Sequence, residues 1–266
     1  MNRKPIGVFD SGVGGLTTVR QLLRLLPNEK IVYFGDTARV PYGTKSKKTI
    51  VRFTTENVLF LLEKKVKLIV IACNTSSSLA LPAIKKHFNI PMVGVIEPAV
   101  KAALRISRSG RIGVIGTRAT IDSKIYENQI KQHNRKIEVF TQACPLFVPF
   151  VEEGWLDNAA IRNVAETYLS ELRKKKIDTL ILGCTHYPLL KKIIAQVLGK
   201  GVVLIDSGQE AALSVSKILE ERNLSAPDST KVRSAVFFVS DEPSRFQRLG
   251  RKFLKNHINN IQRVSR

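Results

Sequence analysis

The sequence predicts an α/β fold built as two pseudo-symmetric α/β sandwich lobes with mainly parallel sheets. Three observations carry this reading. Short apolar strands alternate with segments of helical periodicity along the whole chain, the pattern of a sheet covered by helices. Runs such as KLIVIA (67–72) and DTLIL (178–182) are apolar almost throughout, as expected of parallel strands covered on both faces. The two halves also rhyme: IGVFDS (6–11) resembles IGVIGT (112–117), and LIVIACNT (68–75) resembles LILGCTHY (180–187).

Taken in order, residues 5–9 form a strand and Asp10-Ser11-Gly12-Val13-Gly14-Gly15 a loop. Leu16, Val19, Leu22, Leu23 and Leu26 then recur at helical spacing until Pro27. Residues 31–34 make the next strand, closed by Gly35-Asp36, and 49–65 a helix. The strand 67–72 leads to Asn74-Thr75-Ser76, whose side chains suit a helix start, and a helix running to about Phe88. Residues 91–96 are a strand ending at Glu97-Pro98. The pattern restarts with a strand at 111–115, Gly116-Thr117, and a helix from about Ile121. A strand at 137–141, a helix at 158–174 and the strand 178–182 follow. Pro188 then sits where a first helical turn tolerates it, and the strand 202–205 ends at Asp206-Ser207-Gly208. The last stretch, 235–266, offers the strand VFFV and a helix with Phe246, Leu249, Phe253 and Ile258.

Bulk properties narrow the function. With 44% hydrophobic and 24% charged residues the chain is ordinary for a globular protein, which excludes a disordered one. No run approaches the ~18 apolar residues of a membrane span, and no secretory signal opens the chain, so a cytoplasmic protein without membrane contact is expected. Three cysteines, Cys73, Cys144 and Cys184, are too few and too far apart for a disulfide framework. The net charge of +21 admits a rival of another class, a basic nucleic-acid-binding protein. No zinc knuckle, RNA-recognition signature or aromatic platform supports it, so nucleic acid is expected only through non-specific charge effects.

Cys73 and Cys184 each fall just past the carboxyl end of an apolar strand and just before a helix, the edge where open α/β sheets bind ligands. Backbone N–H groups there stabilise a thiolate and seat a carboxylate. Ser11, Asn74, Thr75 and Thr185 add hydrogen-bonding side chains at that edge, and Asp10 and His186 supply ionisable partners. Cys144, before Pro145, has no such company and reads as structural, and His87, His133 and His257 read as surface residues. Two opposed thiols suit inversion of a carbon stereocentre: one sulfur removes a proton from one face while the other delivers one to the opposite face. The scheme needs no metal and no cofactor. Gly12-Val13-Gly14 with Asp36 also suggests dinucleotide binding, but Thr17 stands where that fingerprint has its third glycine. Zinc ligation by Cys73, Cys184, His186 and Asp10 lacks the close-paired spacings of structural zinc sites.

The stretches FDSGVGGL (9–16), YFGDTARVPYGTKS (33–46), ACNTSSSLA (72–80), GVIEPAV (94–100), GVIGTRATI (113–121), ACPLFVPFVEEGW (143–155) and LGCTHYPLL (182–190) resemble, in order, those of the aspartate/glutamate racemase superfamily, and among its members the glutamate racemases. The resemblance implies that Cys73 and Cys184 are the paired acid/base residues, Cys73 serving the D-isomer and Cys184 the L-isomer. It implies Asp10 and His186 as their assistants and Asp36 and Glu152 as further helpers, with Glu153 adjacent to Glu152. Substrate contacts would come from Asp10, Ser11, Pro41, Tyr42, Gly43, Asn74, Thr75, Thr117, Thr185 and His186. It further implies lobes of 1–97 plus 207–266 and of 98–206 with the site between them, and a supply of D-glutamate for peptidoglycan. The small-molecule partner is then glutamate. A homodimer is an assembly the resemblance allows, and an aspartate racemase is the sibling reading. No long extension precedes the first strand, so regulation by a cell-wall precursor is not expected.

Overall fold

The computed structural model describes residues 2–227, 234–254 and 258–265; His257 lies outside them. Two parallel sheets form the framework, and the same winding builds each. In the first half, β1 (Ile6–Asp10), α1 (Leu16–Leu25), β2 (Ile31–Gly35), α2 (Lys47–Glu63), β3 (Leu68–Ile71), α3 (Asn74–Leu79), α4 (Leu81–Ile84), β4 (Met92–Gly94) and α5 (Ile96–Ile106) follow one another. The second half runs β5 (Arg111–Gly116), α6 (Arg118–Asp122), α7 (Ile125–His133), β6 (Glu138–Ala143), α8 (Phe147–Glu153), α9 (Ala159–Lys174), β7 (Thr179–Gly183), α10 (Lys191–Leu198), β8 (Val203–Asp206) and α11 (Ser207–Glu221). The chain then adds β9 (Ala235–Val239), α12 (Pro243–Leu254) and β10 (Ile261–Arg263).

Sheet order is β10-β9-β2-β1-β3-β4 in the first and β6-β5-β7-β8 in the second. The central block β2-β1-β3-β4 thus repeats as β6-β5-β7-β8, and the rhyming stretches are its equivalent strands: β1 with β5, β3 with β7. In each block the chain leaves the first strand to pair on one side and returns to pair on the other, β2 and β3 flanking β1, β6 and β7 flanking β5. Such a reversal opens a crevice at the carboxyl ends of the strands. Ile6, Val8 and Phe9 of β1, all four residues of β3, and Leu180, Ile181 and Leu182 of β7 are fully buried, as strands covered on both faces must be.

Several elements differ from the sequence reading. The helix expected to run to Phe88 breaks at Ala80, because Pro82 in the first turn of α4 starts a new segment. Helices α5 and α8 lie where the sequence reading placed no helix; Pro98 and Pro149 each stand at the third helical position, where a missing N–H costs nothing. Helix α11 begins at the Asp206-Ser207-Gly208 segment that the sequence reading placed at the end of a strand, with Asp206 Oδ1 accepting from the Gly208 and Gln209 backbone N–H groups at 3.0 and 3.2 Å. Gly208 is there for proximity: a Cβ on it would stand 2.6 Å from Thr18 Oγ1 of α1. Ile258 lies beyond the end of α12, buried against Gly250 of that helix. At the amino ends of the strands, Lys67 and Glu29 form a buried ion pair at 2.6 Å, and Lys67 also donates to the Asn2 and Leu224 carbonyls. Among the described residues no helix is long and apolar enough to cross a membrane.

Candidate active site

The carboxyl ends of β1 and β3 face those of β5 and β7 across a cavity of about 70 Å³. Its wall includes Cys73 and Asn74-Thr75 from the end of β3, and Cys184-Thr185-His186 from the equivalent end of β7. Ser11, Pro41, Tyr42, Gly43, Thr117 and Glu152 of the expected set also line it, whereas Asp10 and Asp36 do not; Gly12, Val40 and Val148 join it. Nothing in the sequence pattern singled out Val148; it stands one helical turn before Glu152, so α8 presents both on one face. Both cysteines are buried and free, exposed by only 5% and 6%.

Cys184 heads a chain of charged partners. His186 Nδ1 lies 3.9 Å from Cys184 Sγ, His186 Nε2 lies 3.1 Å from Glu152 Oε1, and Arg245 of α12 donates to Glu152 Oε2 at 3.2 Å. Burial opposes a charged imidazole, but the hydrogen bonds and charges of Cys184 and Glu152 outweigh it and lift His186 to about 10. Burial pushes Glu152 up, and the His186 contact and Arg245 charge bring it below the usual carboxylate range. The ring is therefore an imidazolium at neutral pH, and positive charge beside a sulfur stabilises its thiolate. Phe253 of α12 packs edge-on against the ring at 5.3 Å. Geometry also separates the adjacent glutamates, since Glu153 points to solvent.

The surroundings of Cys73 have the opposite sign. Burial first, and then the Asp10 charge, push its thiol up to about 12, against hydrogen bonds from Ser76. Asp10 is fully buried, behind the cavity wall. Its Oδ2 accepts from the Gly12 and Gly15 backbone N–H groups at 3.2 and 2.9 Å, while Oδ1 has no hydrogen-bond partner among the described residues. Burial raises its pKa, and the charge of His186 works against that rise.

Asp36 also stands behind the wall. It accepts a hydrogen bond from the Tyr42 hydroxyl, one from Arg39 Nε at 2.6 Å and one from Ser240 Oγ at 3.1 Å. It therefore fixes the loop that carries Pro41, Tyr42 and Gly43, and Arg39 ties the same loop to Asn57 of α2 at 3.1 Å. Gly43 packs so closely on Thr117 that a Cβ would meet the Thr117 Cβ at 2.9 Å. Contacts across the cavity are direct: Thr75 and Thr117 hydroxyls lie 3.1 Å apart, and Tyr126 of α7 donates to Asn74 Oδ1 at 2.6 Å. Thr17 Oγ1 of α1 donates both to the Gly14 carbonyl at 2.9 Å and to the Thr185 carbonyl after β7 at 3.0 Å.

The remaining cysteine, Cys144, is fully buried at the end of β6 with Sγ 3.7 Å from the Gln142 carbonyl, and burial pushes its thiol up. His87 and His133 lie on the surface. Among the described residues no group of three His, Cys, Asp or Glu side chains converges to hold a metal ion. Two buried sulfurs thus line one small cavity from the ends of equivalent strands.

Comparison with known proteins identifies the family. The family model for Asp/Glu/hydantoin racemases matches residues 6–215. Glutamate racemase of Geobacter metallireducens is 50% identical over 262 residues, spanning 98% of this chain and 97% of that one. The crystal structure of Francisella tularensis glutamate racemase in complex with D-glutamate matches with a TM-score of 0.93 at 42% identity, covering 100% of this chain and 98% of the other. That of Escherichia coli glutamate racemase, in complex with L-glutamate and the activator UDP-MurNAc-ala, matches with a TM-score of 0.80 at 28% identity, covering 98% of each chain. The chain belongs to the Asp/Glu/hydantoin racemase family, among its glutamate racemases.

Proposed function

We propose that this chain interconverts L- and D-glutamate without a cofactor, by passing a proton between Cys184 and Cys73. The observation that carries the reading is the placement of the two sulfurs on equivalent strands of the two sheets, across one cavity. Starting from L-glutamate, the Cys184 thiolate, beside the His186 imidazolium, removes the α-proton. The electron pair left on the α-carbon then takes a proton from the Cys73 thiol on the opposite face. The enzyme ends with the proton on Cys184 and the charge on Cys73, and from D-glutamate the same steps run in reverse. The elevated Cys73 thiol suits its role as the acid of the first direction, since it holds its proton until a strongly basic carbanion is present.

Ser11, Asn74, Thr75, Thr117 and Thr185, with the Pro41-Tyr42-Gly43 loop, supply the hydrogen bonds that seat the substrate's carboxylates and ammonium. Asp10 and His186 tune the two sulfurs, Glu152 holds His186, and Asp36 positions the Tyr42 loop. Residues 1–97 plus 207–266 and residues 98–206 serve as the two lobes. The net charge of +21 favours approach of an anionic amino acid. In the cytoplasm, the D-glutamate formed would feed peptidoglycan synthesis.

Proton NMR of L-glutamate with dialysed protein in deuterated buffer, alongside chiral analysis, tests the proposal. Loss of the α-proton with appearance of D-glutamate is expected, and exchange on aspartate alone would move the assignment to the sibling substrate. Cys73→Ala and Cys184→Ala should each remain folded and lose at least 10²–10⁴-fold in racemisation, the usual contribution of a positioned acid or base. Parent-rate racemisation by either variant would overturn the two-thiol scheme.

A further inference from the structure

Helix α3 carries three consecutive serines, and one of them is unlike the others. Ser77 Oγ donates to the Ile71 carbonyl and Ser78 Oγ to the Thr75 carbonyl, each at 2.9 Å. Ser76, with no exposure at all, has an Oγ with no conventional hydrogen bond. Leaving a buried hydroxyl unpaired is costly, so a fold that keeps one there calls for a partner that is present only part of the time. Ser76 stands three residues after Cys73, which caps α3, and a side chain at that helical position reaches back toward the capping residue.

We propose that Ser76 is a positioning residue for Cys73, its hydroxyl turning to donate to Cys73 Sγ whenever that sulfur carries negative charge. This rests on the acid/base reading of Cys73. The charged sulfur occurs in one half of the cycle: before Cys73 takes the α-proton of the D-enantiomer, or after it has protonated the carbanion derived from the L-enantiomer. When the sulfur is a thiol, it makes no such demand on the hydroxyl. The ionisable groups facing Cys73 are Asp10 at the end of β1, Tyr33 on β2 and Cys184 across the cavity. Negative charge on Asp10 or Cys184 opposes a thiolate at Cys73. The Ser76 N–H and hydroxyl act in the other direction. On the Cys184 side that task falls to an imidazolium.

The test reads the sulfur directly. Alkylation by iodoacetamide is followed residue by residue with peptide mass spectrometry, across a pH series, in the intact protein and in Ser76→Ala and Ser76→Thr. Well below the Cys73 pKa its alkylation rate tracks the thiolate fraction. Ser76→Ala should slow Cys73 by about tenfold or more relative to Cys184 in the same molecule, the size expected for a hydrogen bond to a charged group. Ser76→Thr, which keeps the hydroxyl, should restore most of the rate. An unchanged ratio of the two cysteines in Ser76→Ala, or an equal slowing of both, would overturn the proposal. If the ratio shifts while Cys73→Ala still racemises glutamate, the hydroxyl–sulfur coupling stands and the acid/base assignment of Cys73 fails.

Discussion

Replacing His186 with Asn removes the positive charge beside Cys184 and keeps a polar side chain of similar reach. In the parent the ring spans Cys184 Sγ at 3.9 Å and Glu152 Oε1 at 3.1 Å, and is lifted to about 10. A hydrogen bond to a charged group contributes roughly 1.5–3 kcal/mol, so its loss should slow the step that needs a Cys184 thiolate by roughly 10- to 150-fold. The direction of the effect needs care. Free L- and D-glutamate have equal energies in water, so their equilibrium constant is unity and kcat/KM must fall equally in both directions. The asymmetry appears in kcat, and in equal proportion in KM; kcat should fall more from L-glutamate, where Cys184 must start as the base. Initial rates from both enantiomers by circular dichroism measure this. A loss in kcat/KM below about threefold, or a kcat that falls more from D-glutamate, would refute the assignment of His186 to Cys184.

The same variant gives a stability test with a definite sign. The folded pKa of His186 is raised above the value of about 6.5 that an unperturbed imidazole has. Its contribution is therefore complete below about pH 6.5 and disappears as pH rises through about 10, an amount on the order of 4–5 kcal/mol. The parent should lose its thermal advantage over His186→Asn across that window. Parallel melting curves from pH 6 to 10 would contradict the charged state of the ring.

Two other substitutions separate parts of the argument. Gly14→Ala places a Cβ 2.2 Å from Thr185 Oγ1 and 2.6 Å from the His186 ring, so racemisation should fall about 10²-fold through misplacement of the Cys184 side. Gly12→Ala, whose Cβ meets only Val40 Cγ1 at 3.2 Å, should cost much less, and equal initial-rate losses in the two variants would remove this reading of the glycine loop. Lys67→Met leaves the Glu29 carboxylate buried without its cation, which should cost about 3–5 kcal/mol and lower the melting temperature by roughly 10 °C. Activity at 25 °C should persist, because the pair lies at the amino ends of the strands. A melting temperature within 2 °C of the parent's would contradict that cost.

What could be read from the sequence follows the range over which each signal acts. The strands around Cys73 and Cys184 were legible because a strand buried on both faces must be apolar at every position, and their shared topology was legible because the repeat kept its wording. Helices α5, α8 and α11 were not, because Pro98, Pro149 and Gly208 carry loop chemistry in isolation and helix chemistry at their actual positions. The site shows the same division. Neighbours in sequence, such as Asn74 with Cys73 or His186 with Cys184, fall together by local geometry. The link from Glu152 through Arg245 to α12 joins residues 93 positions apart, and no local pattern records it. Thr17 is the sharpest case. Judged as a phosphate-binding loop, the segment lacks a glycine there; in the fold, the hydroxyl bonds the Thr185 carbonyl after β7, a contact no glycine could make.

The deeper asymmetry lies in charge. A scaffold with matching halves places two equivalent sulfurs, and a substrate with two mirror forms would be served evenly by equivalent partners. The partners are instead opposite in sign: a buried carboxylate, Asp10, behind Cys73 and an imidazolium beside Cys184. Identical surroundings would leave the resting proton shared between two equal sulfurs, and a fraction of molecules would hold two thiols or two thiolates, neither of which can racemise. In the proposed cycle these unequal surroundings favour the proton on Cys73, whose thiol burial and the Asp10 charge push up to about 12. The cost falls after turnover, when the proton has moved and negative charge stands on Cys73 beside Asp10 with only neutral donors to hold it.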